Sequence, residues 1–257
     1  MLVAQITDTH IKPNGRLAYG NVLDSSSCLK NVVKHCNDFN PKIDLVIVTG
    51  DLTDGGQFEE YEEFNKIMMD LKVPWFVIPG NHDCNLNNKS REDTLSPIVD
   101  LVQKITPNLH YWKKTGVYNM DNIDFATLSI FDIDKEGKQI TDTIPNPKDL
   151  KNTSIALFHG GVDKHFYDNG FQVQDDRVTN DTFAGYDMVL LGDIHKRQFL
   201  NEEETIAYPG SLIQQNYSEE PSHGFLLWDV EKRKATYHQV ENDYGYNILP
   251  SSTLTIL

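Results

Sequence analysis

Short apolar runs recur along the chain, and each of them predicts a buried β-strand. The runs cover residues 2–6, 45–48, 75–78, 154–158 and 188–191. The run at 45–48 lacks the polar alternation of a half-exposed strand, which is typical of a strand buried on both faces. These five runs therefore predict the core strands of the protein.

Helical patterns lie between the first of these runs. A first helix begins after Asp24 or Ser25, either of which can cap it, and ends before Asn40-Pro41. A second helix spans about residues 59–71, and a third begins at Ser96-Pro97 with apolar positions at 98, 101, 102 and 105. Because strands and helices alternate, we expect parallel pairing of the strands that they connect.

The later part of the chain has a different texture. Residues 116–120 and 123–131 alternate like half-exposed strands around an Asp121-Asn122 turn, and residues 224–230 and 235–240 flank a turn at 231–234. The segment 160–181 is long and weakly patterned, so we expect it to wrap the functional site rather than build the core. The whole pattern predicts an α/β protein with two sheets face to face, helices outside, and a single domain over residues 1–257.

Polar side chains follow the apolar runs almost at once, usually beside glycine. Asp51 follows the second run, and taken alone it could equally cap the next helix. The other four runs end in similar residues, and ligands of open α/β sheets gather at the carboxyl ends of strands. The sequence therefore predicts one cation site, with more ligands than a single ion needs, among Asp8, His10, Asp51, Asn81, His82, His159, Asp193 and His195.

The donor atoms indicate which cations this site would hold. Carboxylate, amide oxygen and imidazole suit Mn, Fe, Zn or Mg, whereas the lack of sulfur disfavours copper(I) and iron–sulfur clusters. Asp8 and His10 are two residues apart at a strand end and share a face, and Asp193 and His195 repeat this spacing. Asp51 has two oxygens and can bridge two ions. Two ions about 3.5–4 Å apart clamp a phosphoryl group and activate a bridging hydroxide as nucleophile.

Charge and composition exclude several other classes of protein. The formal net charge of −15 argues against tight, metal-independent binding to duplex DNA. No apolar run approaches the roughly 18 residues of a membrane span, and the N-terminal residues lack the basic region of a signal peptide. Three cysteines without CxxC spacing imply neither a disulfide framework nor a thiolate zinc site, so we expect a reducing, cytoplasmic compartment.

Five sequence blocks resemble those of the calcineurin-like metallophosphoesterase superfamily, in the family's order and over roughly residues 1–200. They are Asp8-x-His10, Gly50-Asp51, Gly80-Asn81-His82-Asp83, His159 and Gly192-Asp193-x-His195. The resemblance implies a four-layer α/β/β/α sandwich and two divalent metal ions. It implies a first ion at Asp8, His10, Asp51 and His195, and a second at Asp51, Asn81, His159 and Asp193. It also implies that His82 lies near the phosphate as a transition-state stabiliser or leaving-group acid.

Asp193 departs from the family's pattern, which generally has histidine at this position. Aspartate is a competent oxygen donor, and its charge favours a harder ion such as Mn or Mg at the second site. We therefore expect Mn, with Fe, Zn or Mg as alternatives. In a different interpretation, Asp193 supports a ligating imidazole from outside and the second ion is weakly held.

The two halves of the chain resemble different branches of the superfamily. Residues 7–20 and 74–83 resemble the cyclic-nucleotide and glycerophosphodiester phosphodiesterases. Residues 191–198 and 207–216, with Glu219 and 223–225, resemble the SbcD-type double-strand-break-repair nucleases. Because the second match is longer, we predict an SbcD-like DNA nuclease core that depends on a protein partner. The alternative is a small-molecule phosphodiesterase acting on cyclic nucleotides or related diesters, and the third hypothesis is a non-catalytic scaffold.

Overall fold

Two six-stranded β-sheets make up the centre of the protein. The computed structural model describes residues 1–13, 16–18, 23–84, 95–96, 99, 109–132, 144–174 and 177–242. With strands numbered along the chain, the first sheet contains β1 (Leu2–Ile6), β2 (Leu45–Thr49), β3 (Trp75–Ile78), β4 (Leu109–Tyr111), β11 (Gly224–Asp229) and β12 (Lys234–Gln239). The second contains β5 (Gly116–Met120), β6 (Ile123–Leu128), β7 (Thr153–His159), β8 (Met188–Gly192), β9 (Gln198–Phe199) and β10 (Ile206–Tyr208).

The first sheet has the spatial order β12-β11-β1-β2-β3-β4. Strands β1 to β4 are parallel, whereas β11 and β12 form an antiparallel hairpin that extends the sheet beyond β1. The outer face carries α1 (Ser25–Asp38) and α2 (Phe58–Met68), whose apolar sides are buried against it. Parallel strands need such crossover connections, so the predicted parallel pairing and the predicted C-terminal hairpin are both confirmed.

The helix ends follow the capping chemistry of the sequence. Asp24 caps α1, because its carboxylate accepts a hydrogen bond of 2.9 Å from the Ser27 N–H. Helix α2 ends at Met68 rather than at residue 71. Of the predicted third helix, Ser96 is helical, and positions 98, 101, 102 and 105 lie outside the described residues. No helix in the described part of the chain is long and apolar enough to cross a membrane.

The second sheet has the spatial order β5-β6-β7-β8-β10-β9. Strands β5 and β6 form the predicted hairpin, and the turn residues Asp121 and Asn122 have φ angles of 48° and 62°. Two consecutive positive φ values are the geometry of a type I′ turn, which matches the twist of paired strands. Strands β6, β7, β8 and β10 are parallel, so their carboxyl ends share one edge of the sheet.

Three apolar cores separate the layers. One lies between the helices and the first sheet, one between the two sheets, and one on the outer face of the second sheet. The outer face is covered by loops and by the short 3₁₀ helices Pro147–Asp149 and Asn180–Phe183, with no α-helix among the described residues. The predicted α/β fold with two facing sheets is confirmed, but this fourth layer is irregular in the part of the chain described.

The segment 160–181 contributes more to the core than its sequence suggests. We predicted that it wraps the site without building core, yet Val162, Val173 and Val178 are buried in the outer core of the second sheet. The physical reason is that β6, β7 and β8 carry apolar side chains on both faces, and the outer face must also be removed from water. Scattered single valines carry no periodic signal that reveals this role.

A buried polar contact joins the two sheets just below the carboxyl ends of their strands. Gln5 on β1 is fully buried. Its Nε2 donates to the Leu191 carbonyl oxygen of β8 at 2.8 Å, and its Oε1 accepts from the Trp228 indole N–H at 2.9 Å. An unsatisfied buried polar group costs about 1–3 kcal/mol. These hydrogen bonds therefore favour the one packing of the two sheets in which both ends of the Gln5 side chain have partners.

Candidate metal centre

All eight predicted site residues lie at the carboxyl ends of five strands. Asp8 and His10 follow β1, Asp51 follows β2, Asn81 and His82 follow β3, His159 ends β7, and Asp193 and His195 follow β8. The Asp8 N–H donates to the Gly50 carbonyl oxygen at 3.1 Å, and the His10 N–H donates to the Asp51 carbonyl oxygen at 3.1 Å. The loops after β1 and β2 are therefore held side by side.

Four of these residues adopt a backbone conformation that non-glycine residues rarely use. The φ angle is 51° at Asp8, 41° at His10, 50° at Asp51 and 93° at Asp193. Positive φ occurs in only a few per cent of non-glycine residues, and such strain clusters at functional sites. Four of the predicted ligands therefore lie in strained turns, which is typical of a functional site.

The first cluster of predicted ligands centres on the fully buried Asp8 carboxylate. Its Oδ1 lies 3.8 Å from His10 Nε2 and 3.7 Å from His195 Nε2. Its Oδ2 accepts hydrogen bonds from the Thr7 hydroxyl at 2.6 Å and from the Asp193 N–H at 3.2 Å. Oδ1 has no hydrogen-bond partner among the described residues. A buried carboxylate oxygen that faces two imidazole nitrogens fits a cation.

The second cluster centres on His159. Its Nδ1 donates to the Thr49 carbonyl oxygen at 2.7 Å, so Nε2 is the nitrogen that faces the other donors. The oxygens around Nε2 belong to Asn81 (3.1 Å), Asp51 (3.4 Å) and Asp193 (3.9 Å). The other carboxylate oxygen of Asp51 lies 3.8 Å from His10 Nε2. One carboxylate therefore links the two clusters.

Gly50 and Gly192 allow the two sheets to approach each other at this point. Gly50 has φ 101°, and a Cβ atom there would lie 2.1 Å from His159 Nδ1. A Cβ atom on Gly192 would lie 2.1 Å from the Thr49 carbonyl oxygen. Both separations are far shorter than any real contact, so only glycine fits at these positions. The glycines beside the ligands therefore determine how closely β2 approaches β7 and β8.

His82 lies at the exposed border of the clusters. Its backbone N–H donates to Asp51 Oδ1 at 2.9 Å, and its Nδ1 donates to the Asp54 carbonyl oxygen at 2.9 Å. Its ring packs edge-on against His10, with 4.8 Å between ring centroids. The side chain is exposed to solvent. A substrate that reaches the clusters can therefore also reach this imidazole.

The charges of the clusters stabilise one another. Burial disfavours an ionised Asp8, but the surrounding imidazoles hold the pKa of its carboxyl well below the usual range. Burial likewise disfavours a charged His195, yet the hydrogen bond to Glu219 and the charge of Asp8 raise its pKa to about 9. The pKa of His159 is also raised against the effect of burial, chiefly by Asp51. A cation that binds here must displace these protons.

The donor set suits divalent cations. Nitrogen and carboxylate oxygen atoms lie within 4.8 Å of one another in three groups, namely Asp8/His10/His195, Asp8/Asp51/His159 and His10/Asp51/His82. Carboxylate and imidazole donors suit Mn, Fe, Zn or Mg. Because Asp51 belongs to two groups that contain different histidines, the arrangement can accommodate two ions.

Asp83 supports the site, although its sequence block suggested no role for it. The carboxylate is fully buried and accepts hydrogen bonds from the backbone N–H groups of Leu52 (3.2 Å) and Gly80 (3.0 Å) and from the Tyr61 hydroxyl (2.9 Å). Burial and the nearby Asp51 raise its pKa to about 6. Asp83 thus ties the loop after β3 to the loop after β2. Its position in the Gly80-Asn81-His82-Asp83 block was the only available signal.

Glu219 and His223 also lie behind the centre, beyond the five blocks. Glu219 Oε1 accepts a hydrogen bond of 3.0 Å from His195 Nδ1. His223 is buried, its Nδ1 donates to the Ser211 carbonyl oxygen at 2.8 Å, and its Nε2 lies 3.9 Å from Glu219 Oε2. Both residues belong to the stretch that resembles the SbcD-type nucleases, but the resemblance gave them no role, and 24 residues separate Glu219 from His195.

Comparison with known proteins identifies the family. The model of the calcineurin-like phosphoesterase family matches residues 1–197. The chain therefore belongs to this family, and the resemblance inferred from the five blocks is confirmed. A structure of a Thermus thermophilus protein has a TM-score of 0.60 at 15% identity, over 93% of this chain and 99% of that one. At this level of identity the likeness concerns the fold alone.

Curated relatives match different portions of the chain. A protein of Acanthamoeba polyphaga mimivirus with no stated function is 44% identical over 68% of this chain and 13% of its own length. A probable glycerophosphodiester phosphodiesterase of Arcobacter nitrofigilis is 52% identical over 36% of this chain and 33% of its own length. A 3′,5′-cyclic-nucleotide phosphodiesterase of Nostoc is 25% identical over 81% of this chain and 76% of its own length. The chain thus spans a third or less of the first two relatives.

Proposed function

We propose that the protein hydrolyses phosphodiesters with two divalent cations bound at this centre. The first ion is assigned to Asp8, His10, Asp51 and His195, and the second to Asp51, Asn81, His159 and Asp193. The observation that supports the proposal most is the position of Asp51, whose two oxygens face His10 and His159. Two such ions, when bound, polarise a phosphoryl group and lower the pKa of a water molecule.

The proposed role of His82 is to donate a proton to the leaving oxygen. Its Nδ1 already donates to the Asp54 carbonyl oxygen, so the transferred proton would be the one that Nε2 carries in the imidazolium form of the ring, which leaves a neutral imidazole. The hydrogen bond from its backbone N–H to Asp51 fixes the residue next to the proposed bridging carboxylate. His82 therefore combines solvent access with a defined position.

We propose small phosphodiesters as substrates, either cyclic nucleotides or glycerophosphodiesters. The names of the Arcobacter and Nostoc relatives support this alternative, which we weighed against a DNA nuclease. The net charge of −15 also disfavours a polyanionic substrate. The predicted SbcD-like nuclease core and its protein partner gain no support from these relatives, so small diesters become the main proposal.

We propose Mn as the preferred ion, with Fe, Zn or Mg as alternatives. Asp193 contributes a carboxylate, and its Oδ1 lies 3.9 Å from His159 Nε2. Its side chain is 29% exposed, so an ion near it keeps access to water. A carboxylate oxygen beside a partly hydrated ion suits Mn or Mg better than a softer ion.

We also propose that residues 1–257 form one domain. Strand β11, near the end of the described chain, pairs with β1 at its beginning. A cytoplasmic location stays a prediction that rests on the three cysteines. Burial raises the pKa of both Cys28 and Cys36 to about 12, so these two thiols have little thiolate character.

A substrate panel tests the proposed function. The protein, loaded in turn with Mn, Mg, Zn and Fe, is assayed with cyclic AMP, a glycerophosphodiester, and single-stranded and duplex DNA. We expect turnover of at least one small diester with Mn, together with intact DNA. DNA cleavage without turnover of either diester would favour the nuclease. A protein that takes up no metal and hydrolyses nothing would favour the scaffold.

A further inference from the structure

The two proposed ligands His159 and His195 differ in what accepts the proton on their second nitrogen. His159 Nδ1 donates to the backbone carbonyl of Thr49, which is a neutral acceptor. His195 Nδ1 donates at 3.0 Å to the side chain of Glu219, which is a carboxylate. Since an outer carboxylate raises the basicity of a ligating imidazole, the two ions would meet histidines of unequal donor strength.

Glu219 is fixed by the loop that carries it. Its side chain is 1% exposed, Oε2 accepts from the Gln215 N–H at 2.6 Å, and Oε1 accepts from the Asn216 side-chain amide at 2.7 Å. The Gln214 side chain donates to the Glu219 carbonyl oxygen at 2.9 Å. A buried carboxylate is costly unless its oxygens have partners, and here both oxygens do. The loop therefore holds the carboxylate in a single position against His195.

The supporting glutamate lies outside the part of the chain that the family model matches. The family match ends at residue 197, and Glu219 follows β10 in the region between the second sheet and β11. The Ser211 N–H donates to the His195 carbonyl oxygen at 3.1 Å, which ties the same region to the backbone of the ligand. The loop thus fixes both the main chain and the imidazole of His195.

We propose that Glu219 is a positioning residue that keeps the His195 proton on Nδ1, aims Nε2 at the first ion and thereby sets the affinity of the first metal site. This inference rests on the proposed function, because it takes His195 as a ligand. The geometry supports a local effect, since the Glu219 carboxylate lies against His195, His223 and the backbone and side chain of its own loop. Loss of the carboxylate should therefore weaken one ion and spare the other.

Calorimetric titration with Mn²⁺ tests this proposal without any assay of hydrolysis. Outer partners of metal ligands typically contribute about 10–100-fold in affinity. We expect about 10-fold weaker binding of the first ion in Glu219→Gln, which keeps an acceptor oxygen, and about 100-fold in Glu219→Ala. The second ion should bind as in wild type. Glu220→Gln is the matched control, because this neighbour is exposed and the substitution changes the charge equally.

A double-mutant cycle shows whether the effect acts through the imidazole. In a His195→Ala background, Glu219→Gln should change Mn²⁺ affinity by less than about twofold, since the contact is already lost. An equal loss in both backgrounds would overturn the positioning role, as would wild-type affinity for both ions in Glu219→Gln. If wild type itself binds fewer than two ions, the proposed function fails instead. Melting curves of the metal-free variants verify that each is folded.

Discussion

The strand ends of the two sheets contribute to the candidate metal centre in different ways. The ends of β1 and β2 contribute Asp8, His10 and Asp51, whose side chains are 0–4% exposed, whereas Asn81 and His82 after β3 are exposed. From the second come His195 and Asp193, whose side chains are 24% and 29% exposed. His159 also belongs to the second sheet, but it is 1% exposed and donates to β2. The ends of β1 and β2 thus form a buried floor of the candidate site, and the residues after β3 and β8 form its open wall.

The difference follows from how each edge is stabilised. The loops after β1 and β2 are joined by backbone hydrogen bonds and strained turns, beneath a sheet that two helices cover. The residues after β8 depend on a distant loop, through Ser211 and Glu219, for their position. A rigid floor defines the distance between charges, while an open wall admits substrate. Four predictions test this division.

The largest effect should come from the carboxylate shared by both clusters. We expect Asp51→Asn to lower kcat/KM on a small diester by more than about 100-fold, which exceeds the usual loss from outer partners of metal ligands. Asp193→Asn, on the open wall, should lower it by only about 10-fold, because the amide retains an oxygen donor. Steady-state kinetics with saturating Mn²⁺ would measure both. Equal losses in the two variants would contradict the division.

His82 should affect turnover without affecting metal content. We expect His82→Asn to lower kcat by about 100-fold, the lower end of the range for a general acid, with the metal stoichiometry unchanged. Kinetics and elemental analysis on the same preparation measure the two quantities. Loss of an ion in this variant would instead make His82 a ligand, in line with its place in a group with His10 and Asp51.

Metal affinity should increase with pH, while the metal-free protein should lose stability. Burial opposes protonation of His195, but Glu219 and Asp8 raise its pKa to about 9, above the ordinary value of 6.5. Its contribution to stability is therefore complete below about pH 6.5 and is lost as the pH rises towards 9. The cation must displace the proton, so the apparent Mn²⁺ affinity should rise about 10-fold between pH 7 and pH 8.

Melting temperatures recorded with and without Mn²⁺ from pH 6.5 to 8.5 measure both trends. The metal-free melting temperature should fall over this range, and the increment that Mn²⁺ adds should grow. An increment that does not change with pH would show that no proton is displaced. In Glu219→Gln, the melting temperature of the metal-free protein should fall less over this range. The substitution weakens the hydrogen bond that raises the pKa of His195 against the effect of burial.

The smallest effect on catalysis should come from the buried polar contact that Gln5 makes between the two sheets. Gln5→Met keeps the volume but leaves the Trp228 indole N–H without its partner, and the Leu191 carbonyl oxygen keeps only the longer hydrogen bond of 3.4 Å from the Thr49 hydroxyl. We expect a loss of about 1–3 kcal/mol in the free energy of unfolding and less than about a twofold change in kcat. Chemical denaturation measures the first quantity. A large loss of activity with unchanged stability would show that this contact aligns the ligands.

Much of the fold was predictable because its signals are local. The runs that became β1, β2, β3, β7 and β8 are short and mostly apolar, and each is followed within two residues by glycine or a polar residue. The Asp121-Asn122 hairpin was predictable because both residues tolerate positive φ. The outer layer of the second sheet was not, because valines scattered through the segment 160–181 have no period.

The convergence of the eight predicted site residues at one edge was predictable for the same reason. Each lies at the end of one of five strands or within a few positions after it, so the sequence alone determined which ligand atoms lie near the shared edge. The sequence could not determine which side chain forms a hydrogen bond with each predicted ligand from the side away from the ion. Glu219 behind His195 and Gln5 between the sheets are contacts between distant segments. Only tertiary folding decides such pairs, because burial forces polar groups to find partners wherever the packed chain supplies them.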